Sequence, residues 1–262
     1  MKVVILAGGF GTRIAEESHL KPKPMIEIGE MPILWHIMKH YSFYGYNEFI
    51  ICAGYKQNVI KEWFSNYYFN TADVTFDFTD GNKAIYHNMH AEPWKVTVVD
   101  TGLYTKTGGR IKRIRDYVGN EPFMLTYGDA VGNIDLHALE EFHRSHGKIG
   151  TVSVYNYGQS KGVLDVNPDG NVSAFREKLD SDGDLINIGF MVMNPEIFDR
   201  IEGDKTDFEK EPMNSLVRDN QLMAFTHEGF WQCMDTVREK LKLEELWSSG
   251  KAPWMVWKGS KE

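Results

Sequence analysis

The chain has 262 residues, of which 42% are hydrophobic and 25% are charged, a composition that suits one large α/β domain and excludes a disordered protein. The formal net charge of -8 excludes a general affinity for nucleic acid or for an anionic membrane, so an anionic substrate must meet a local basic site. Only two, widely separated cysteines occur, which excludes a disulfide-rich scaffold, and the lack of a long apolar or targeting segment predicts a soluble, cytoplasmic protein.

The first 155 residues alternate between apolar runs and amphipathic segments. In chain order, the patterns predict a strand at 2–7, a helix at 33–46, a strand at 48–53, a helix at 58–67, strands at 74–78 and 95–100, a helix at 109–118, a strand at 122–127, a helix at 136–145 and a strand at 149–155. This order predicts a Rossmann-like, doubly wound sheet that is mixed but mostly parallel. Sites in such sheets lie beyond the carboxyl ends of the strands.

The second half of the chain has shorter elements. Its patterns predict strands at 162–166, 172–177 and 188–194 and helices at 208–219 and 236–248, with 229–235 returning to the site. No repeat or linker interrupts the sequence. We therefore predict one domain over 1–262, in which 156–262 adds small β-rich and helical elaborations to the sheet of 1–155.

A glycine loop follows the first predicted strand directly. Residues 8–13 read GGFGTR, and Lys23 follows within the segment KPKP. Glycines let backbone N–H groups approach an anion closely. The loop is neither a P-loop nor a dinucleotide fingerprint, because Ile14 stands where the third glycine of GxGxxG belongs. A tight turn is the structural alternative, but the added Arg13 and Lys23 favour a site that holds a triphosphate while another phosphate attacks it.

These residues carry a resemblance. Leu6–Arg13 with Lys23-Pro24 resembles the signature of the sugar-1-phosphate nucleotidyltransferases. Stretches between residue 1 and about residue 257 resemble the branch that acts on CTP and glucose 1-phosphate; they are KPKPMIEIG, PILWHIM, EFIICAGYK, VIKEWF, VDTG, TGGRIKR, TYGD, INIGF, GFWQCMDT and KAPW. The resemblance implies in-line attack of a sugar 1-phosphate on the α-phosphorus of CTP, giving a CDP-sugar and pyrophosphate. It also implies a Mg²⁺ cofactor and a homo-oligomer, for which the Trp-bearing C-terminus is a candidate contact.

The resemblance also assigns roles in the nucleotide-binding half, 1–155. Arg13 would bind the β- and γ-phosphates, Lys23 would bind the α-phosphate and the attacking phosphate, and Asp129 completes the catalytic set. The candidate nucleotide-binding residues are Leu6, Ala7, Gly8, Gly9, Phe10, Gly11, Thr12, Arg13, Lys23, Thr105, Arg110 and Gly128. Asp129 and Asp235 are the candidate Mg²⁺ ligands. On pattern alone each of them could instead cap a turn or a helix, and they can meet only through the fold.

The acceptor-binding half, 156–262, departs from the family pattern. Its candidate acceptor-binding residues are Gly162, Glu177, Lys178, Asn187 and Gly189. Lys161, Leu179 and Ile188 replace residues usual in the family, and we expect Ile188 to narrow the acceptor pocket. A cytidylyltransferase for a different phosphorylated acceptor therefore remains an alternative. A nucleotide-binding regulatory protein without catalysis is a second alternative, which the intact charged residues disfavour.

Overall fold

The computed structural model describes residues 1–79, 81–88, 90–156, 163–166, 172–176 and 185–259. Its strands are β1 (Lys2–Ala7), β2 (Glu27–Ile28), β3 (Met31–Pro32), β4 (Glu48–Ala53), β5 (Asp73–Asp77), β6 (Lys83–His87), β7 (Lys95–Asp100), β8 (Phe123–Tyr127), β9 (Ala130–Gly132), β10 (Gly150–Asn156), β11 (Val163–Val166), β12 (Val172–Arg176), β13 (Leu185–Met193), β14 (Leu222–His227) and β15 (Trp231–Cys233). Its α-helices are α1 (Ala15–Ser18), α2 (Ile33–Phe43), α3 (Gln57–Ser65), α4 (Tyr67–Asn70), α5 (Thr107–Arg113), α6 (Arg115–Val118), α7 (Leu136–His146), α8 (Glu211–Arg218) and α9 (Val237–Ser248). Short 3₁₀ helices occupy Thr12–Ile14, Lys23–Met25, Pro195–Arg200 and Val256–Gly259.

Seven strands form the central sheet in the order β14-β10-β13-β8-β1-β4-β7. β1 pairs in parallel with β4 and with β8, and β4 pairs in parallel with β7. Of the seven described strands, only β13 runs antiparallel to its neighbours, β8 and β10. The predicted fold class, a mixed and mostly parallel sheet, is confirmed.

Both faces of the sheet are buried at the central strands β1 and β4, which explains the unbroken apolar runs of these two strands. Along β1, Val3 and Ile5 pack into the core on one face, while Val4 packs into the core on the other. The apolar stripe of α2 covers the first face, and α5 and α6 cover the second. Because β1, β4, β7 and β8 run parallel, their carboxyl ends lie at the same edge of the sheet.

The structure changes several predicted boundaries. α2 ends at Phe43 rather than at 46, before Gly45 with its φ of +86°. The predicted helix at 109–118 begins earlier and breaks at Ile114 into α5 and α6. The patterns missed β14, an edge strand of the central sheet, and β6, whose residues are all exposed and therefore carry no alternation. They also missed the strands of two or three residues, β2, β3, β9 and β15.

The C-terminal tryptophans belong to the core of this chain. Trp254 is fully buried, and its Nε1 donates to Nδ1 of His36 at 3.3 Å. The predicted subunit contact at this end is therefore not supported at Trp254.

In the described part of the chain, no helix combines the length and apolarity that crossing a membrane requires.

Candidate active site

The carboxyl end of β1 and the segments that follow β1, β7 and β8 line a cavity of about 570 Å³. It is lined by Leu6, Ala7, Gly8, Gly9, Phe10, Gly11, Thr12, Arg13, Lys23, Pro24, Leu103, Tyr104, Thr105, Lys106, Thr107, Arg110, Tyr127, Gly128, Asp129 and Asp207. All twelve residues predicted to bind the nucleotide are among them. The structure thus brings the predicted nucleotide-binding residues together at the edge of the sheet where such sites lie.

The glycine loop takes a shape that side chains would obstruct. A Cβ on Gly8 would lie 2.1 Å from Nη1 of Arg110, which leaves no room for one. Gly11 has a φ of +65°, in the left-handed region that glycine tolerates best. Its carbonyl accepts from the amide of Ile14 at 3.1 Å, which closes the turn. The loop therefore presents backbone rather than side chains over part of the cavity wall.

A buried lysine joins two carboxylates beside this loop. Lys23 is 8% exposed and lies on a 3₁₀ turn between Pro22 and Pro24. Its Nζ donates to Oδ2 of Asp129 at 2.6 Å and to Oδ1 of Asp235. Nη1 of the largely exposed Arg13 donates to Oδ2 of Asp235 at 2.5 Å. Two carboxylates more than 100 residues apart thus meet at one lysine.

Two short strands bring the carboxylates together. β9 follows Asp129 and pairs antiparallel with β15, which precedes Asp235. The amide of Met234 donates to the carbonyl of Asp129 at 2.8 Å. The N-cap of α9 is Thr236, whose capping box with Glu239 satisfies the start of the helix. The carboxylate of Asp235 is therefore not needed as a cap, and it faces Lys23 instead.

The charges in this cluster balance. Burial by itself lowers the pKa of Lys23, but the ion pairs with Asp129 and Asp235 outweigh it, so the pKa is raised overall. Lys23 therefore stays protonated, and its charge offsets the mutual repulsion of the two carboxylates. We refer to Arg13, Lys23, Asp129 and Asp235 as the charged cluster.

The donor set of the charged cluster fits a divalent cation. Mg²⁺ in phosphoryl-transfer sites is commonly held by one or two carboxylates, with water and substrate phosphates as its other ligands. Asp129 and Asp235 supply two carboxylates at one place. Within the described residues, no group of three or more His, Cys, Asp or Glu could hold a metal ion. An ion at Asp129 and Asp235 would thus need further oxygens from water or substrate.

Arg110 lines the cavity but is largely engaged with the backbone. Its two Nη atoms donate to the carbonyls of Gly8, Ala53 and Gly102 at 2.8–3.2 Å and to Oγ1 of Thr101 at 2.8 Å. Burial lowers its pKa below the usual arginine value. These bonds tie together the carboxyl ends of β1, β4 and β7. A contact between Arg110 and the nucleotide stays a prediction.

The acceptor-binding residues are only partly described. Gly162, Glu177 and Lys178, and the substituted Lys161 and Leu179, lie outside the residues that the structure describes.

Asn187 and Gly189 lie on β13 beside Tyr127, which lines the cavity. Gly189 has a φ of +84°, and a Cβ there would lie 2.4 Å from the Tyr127 ring. Because Gly189 has no side chain, the ring of Tyr127 can pack against its backbone.

The prediction that Ile188 narrows the acceptor pocket is wrong. Ile188 is 2% exposed and packs in the same core as Phe190 and Val192. Side chains alternate along a strand, so Ile188 and Asn187 point to opposite faces of the sheet. The side chain that was expected to crowd a ligand instead fills the core.

Sequence patterns missed one wall of the cavity. Leu103, Tyr104, Lys106 and Thr107 line it together with the predicted Thr105. The position of this segment just beyond the carboxyl end of a predicted strand was a signal that could have found it. Asp207 also lines the cavity, and it offered no such signal because it lies in a loop far away in the chain.

The fold and this site define a nucleotidyltransferase. The profile of the nucleotidyl transferase family matches residues 2–239, and the chain belongs to that family. Glucose-1-phosphate cytidylyltransferase of Salmonella typhimurium is 52% identical over 258 residues, which cover 98% of this chain and 100% of that protein. Probable glucose-1-phosphate cytidylyltransferase of Bacillus subtilis is 43% identical over the same shares. The resemblance predicted from the sequence is thereby confirmed.

Solved structures with lower identity share the fold. UDP-glucose pyrophosphorylase in complex with UDP-glucose has a TM-score of 0.68 at 15% identity, covering 95% of this chain and 98% of that one. HddC from Yersinia pseudotuberculosis has a TM-score of 0.66 at 22% identity, covering 94% and 99%. At these identities the likeness concerns the fold alone.

The nucleotidyl transferase family generally uses a divalent metal.

Proposed function

We propose that this protein transfers the cytidylyl group of CTP to glucose 1-phosphate, releasing pyrophosphate and forming CDP-glucose. The observation that carries the proposal is the charged cluster beside the glycine loop, because two cations and two carboxylates held together suit a reaction of a metal-bound triphosphate. The relatives that are 52% and 43% identical over nearly the whole chain carry the names of this activity, which supports CTP and glucose 1-phosphate as substrates.

The chemistry requires positioning and charge neutralisation. In the proposed reaction a phosphate oxygen of the acceptor attacks the α-phosphorus, and this oxygen is already anionic, so no protein base has to remove a proton. Lys23 would hold the α-phosphate and the attacking phosphate. Arg13, whose side chain is largely exposed, would bind the β- and γ-phosphates of the leaving group with its planar fork.

Mg²⁺ is the cofactor that we propose, with Asp129 and Asp235 holding it. When bound, it would neutralise charge on the phosphate oxygens. Lys23 and Arg13 already bond these carboxylates, so an ion and a triphosphate bound there would compete for the same charged groups. This supports a site in which metal and triphosphate bind together.

The remaining predicted contacts are part of the proposal. Backbone groups of residues 6–12, together with Thr105, Arg110 and Gly128, would surround the nucleotide in the cavity that they line. Glu177 would bind sugar hydroxyls and Lys178 the sugar phosphate, with Gly162, Asn187 and Gly189 close to the sugar. These assignments rest on the family pattern.

A substrate matrix tests the proposal. CTP, UTP and dTTP should each be combined with several sugar phosphates, and pyrophosphate release measured with Mg²⁺. We expect the highest kcat/KM with CTP and glucose 1-phosphate. A higher value with another acceptor would favour the first alternative. Tight CTP binding without pyrophosphate release from any acceptor would favour a regulatory protein.

A homo-oligomer remains part of the proposal. One face of the hairpin β5–β6 exposes apolar side chains that a second copy of the chain could cover, including Phe76 and Tyr86. Contiguous exposed apolar surface of this kind is typical of protein interfaces. Light scattering coupled to size-exclusion chromatography measures the state directly, and a monomer at micromolar concentration would contradict the prediction.

A further inference from the structure

Aromatic side chains lie at one end of the nucleotide cavity. The ring centroid of Phe10 lies 5.3 Å from that of Tyr55 and 6.0 Å from that of Tyr104. Phe10 is 41% exposed and Tyr104 is 83% exposed. We call Phe10, Tyr55 and Tyr104 the aromatic rim. Two rings of the rim thus present apolar faces to the cavity mouth.

Tyr55 and Tyr104 of the aromatic rim lie on the other side of β1 from Asp129 of the charged cluster. Asp129 follows β8, whereas Tyr55 follows β4 and Tyr104 follows β7. In the sheet, β1 separates β8 from β4 and β7. The glycine loop extends from β1 and carries Phe10 and Arg13, and it lines the same cavity as Tyr104 on one side and Asp129 on the other. A ligand that spans the cavity meets ions on one side and rings on the other.

The backbone under the rim is well held. The amide of Tyr55 donates to the carbonyl of Gly8 at 3.1 Å. On the opposite side, Arg110 bonds the carbonyl of Gly102, and Thr105 is 9% exposed. The segment carrying Tyr104 is therefore fixed on both sides, while its ring faces water. A fixed backbone lowers the entropy lost when the ring contacts a ligand.

We propose that Phe10 and Tyr104 form a stacking surface for the base of the bound nucleoside triphosphate. The inference rests on the proposed function in so far as a nucleotide occupies the cavity. With the phosphates at the charged cluster, the flat base extends toward the opposite end. Stacking on an aromatic ring favours every base, since each has a π-face. The rim therefore adds affinity for the nucleotide without selecting cytosine.

Binding measurements without acceptor test this role. Wild type and Tyr104→Ala should be titrated calorimetrically with CTP, UTP and inorganic tripolyphosphate, which has phosphates but no base. We expect Tyr104→Ala to weaken CTP and UTP binding by about tenfold, the size typical of one base–aromatic stack. Tripolyphosphate binding should change less than about twofold. Phe10→Ala should act in the same direction.

Two variants serve as controls. Tyr104→Phe keeps the ring and should bind CTP like the wild type. Tyr117→Ala removes a tyrosine that is 48% exposed on α6, away from the cavity lining, and should have no effect. Thermal unfolding of each variant verifies that the fold is intact, which the exposure of Tyr104 leads us to expect.

Three outcomes would overturn the inference. They are unchanged CTP affinity in Tyr104→Ala, an equal loss for CTP and tripolyphosphate, and a wild type that binds no nucleotide, which would overturn the proposed function as well. A wild type that binds CTP through the rim but releases no pyrophosphate would overturn the proposed function alone. The two ideas can therefore fail separately.

Discussion

Lys23 shows how a single residue depends on distant ones. A lysine ammonium is rarely buried unless it is paired, because burial removes its hydration. Lys23 is buried because Asp129 and Asp235 both accept from its Nζ. In the sequence, the prolines that flank Lys23 indicated a functional role for this lysine. They gave no sign that both of its partners would be the two candidate metal ligands.

Replacing Lys23 by methionine should leave Asp129 and Asp235 close together without the cation that offsets their repulsion. We expect the free energy of unfolding in the presence of EDTA to fall by about 2 kcal/mol, since two carboxylates lose their charged donor. Mg²⁺ should restore part of the loss, because an ion that binds only the folded state stabilises it. Denaturant unfolding with EDTA and with Mg²⁺ measures both effects.

Lys21→Met is the matched control for that variant. Lys21 lies two residues before Lys23 and pairs with the exposed Glu27. Such surface pairs contribute about 0–1 kcal/mol to the free energy of unfolding. If Lys23→Met is as stable in EDTA as Lys21→Met, the buried cation does not hold the carboxylates together.

The carboxylates themselves should control turnover. Asp129→Asn and Asp235→Asn each remove a charge from the proposed metal site, and we expect at least about a hundredfold slower pyrophosphate release at limiting Mg²⁺. Asp199→Asn provides a control, because Asp199 pairs with Arg115 on the surface. A wild-type rate in Asp129→Asn at limiting Mg²⁺ would refute the metal-binding role.

At the scale of elements, the orientation of β13 decides the function of its side chains. β13 runs antiparallel between β8 and β10, and its alternation sends Ile188 into the core and Asn187 toward Tyr127. The family pattern singled out these positions in the chain. It could not determine which face each one occupies, since a shift of one residue in register exchanges the faces.

Ile188→Ala should therefore change stability rather than substrate choice. Removing this buried side chain is expected to lower the free energy of unfolding by about 2–4 kcal/mol, while the KM for glucose 1-phosphate stays within about twofold. Leu185→Ala, at an exposed position on the same strand, should cost far less. A large change of acceptor preference in folded Ile188→Ala would instead indicate that the Ile188 side chain contacts the acceptor.

At the scale of the whole molecule, two buried histidines make the fold sensitive to acid. Burial lowers the pKa of His36 and of His40, both on α2, from 6.5 to about 4, despite their hydrogen bonds to backbone carbonyls. Below pH 6.5 the unfolded chain binds the protons that the folded chain excludes. Their contribution to stability is therefore complete above pH 6.5 and is lost as the pH falls toward 4.

We expect each of these histidines to lower the free energy of unfolding by up to about 1.4 kcal/mol per pH unit across that window. Denaturant unfolding between pH 7 and pH 4.5 measures the slope. His36→Gln should make the slope shallower by about one proton, whereas His19→Gln, at an exposed position, should leave it unchanged. Equal slopes in His36→Gln and wild type would contradict this origin of acid sensitivity.

Much of the fold could be predicted from local patterns. β1, β4 and β7 have the predicted boundaries, and for β1 and β4 the reason is that buried parallel strands are continuous apolar runs. The 3₁₀ turn at Lys23 and the split between α5 and α6 could not be predicted, since local helical spacing does not reveal where a chain bends to satisfy its packing. The strands β9 and β15 escaped detection because three residues carry too little periodicity.

The sequence by itself determined the glycine loop, its position after a buried strand, and the family to which the chain belongs, because each of these depends on residues that are adjacent or nearly so. Tertiary structure alone decided that Asp129 and Asp235 meet at Lys23, that Arg110 ties three strand ends together, and that Ile188 lies in the core. These features depend on strand order and register, which join residues distant in the chain.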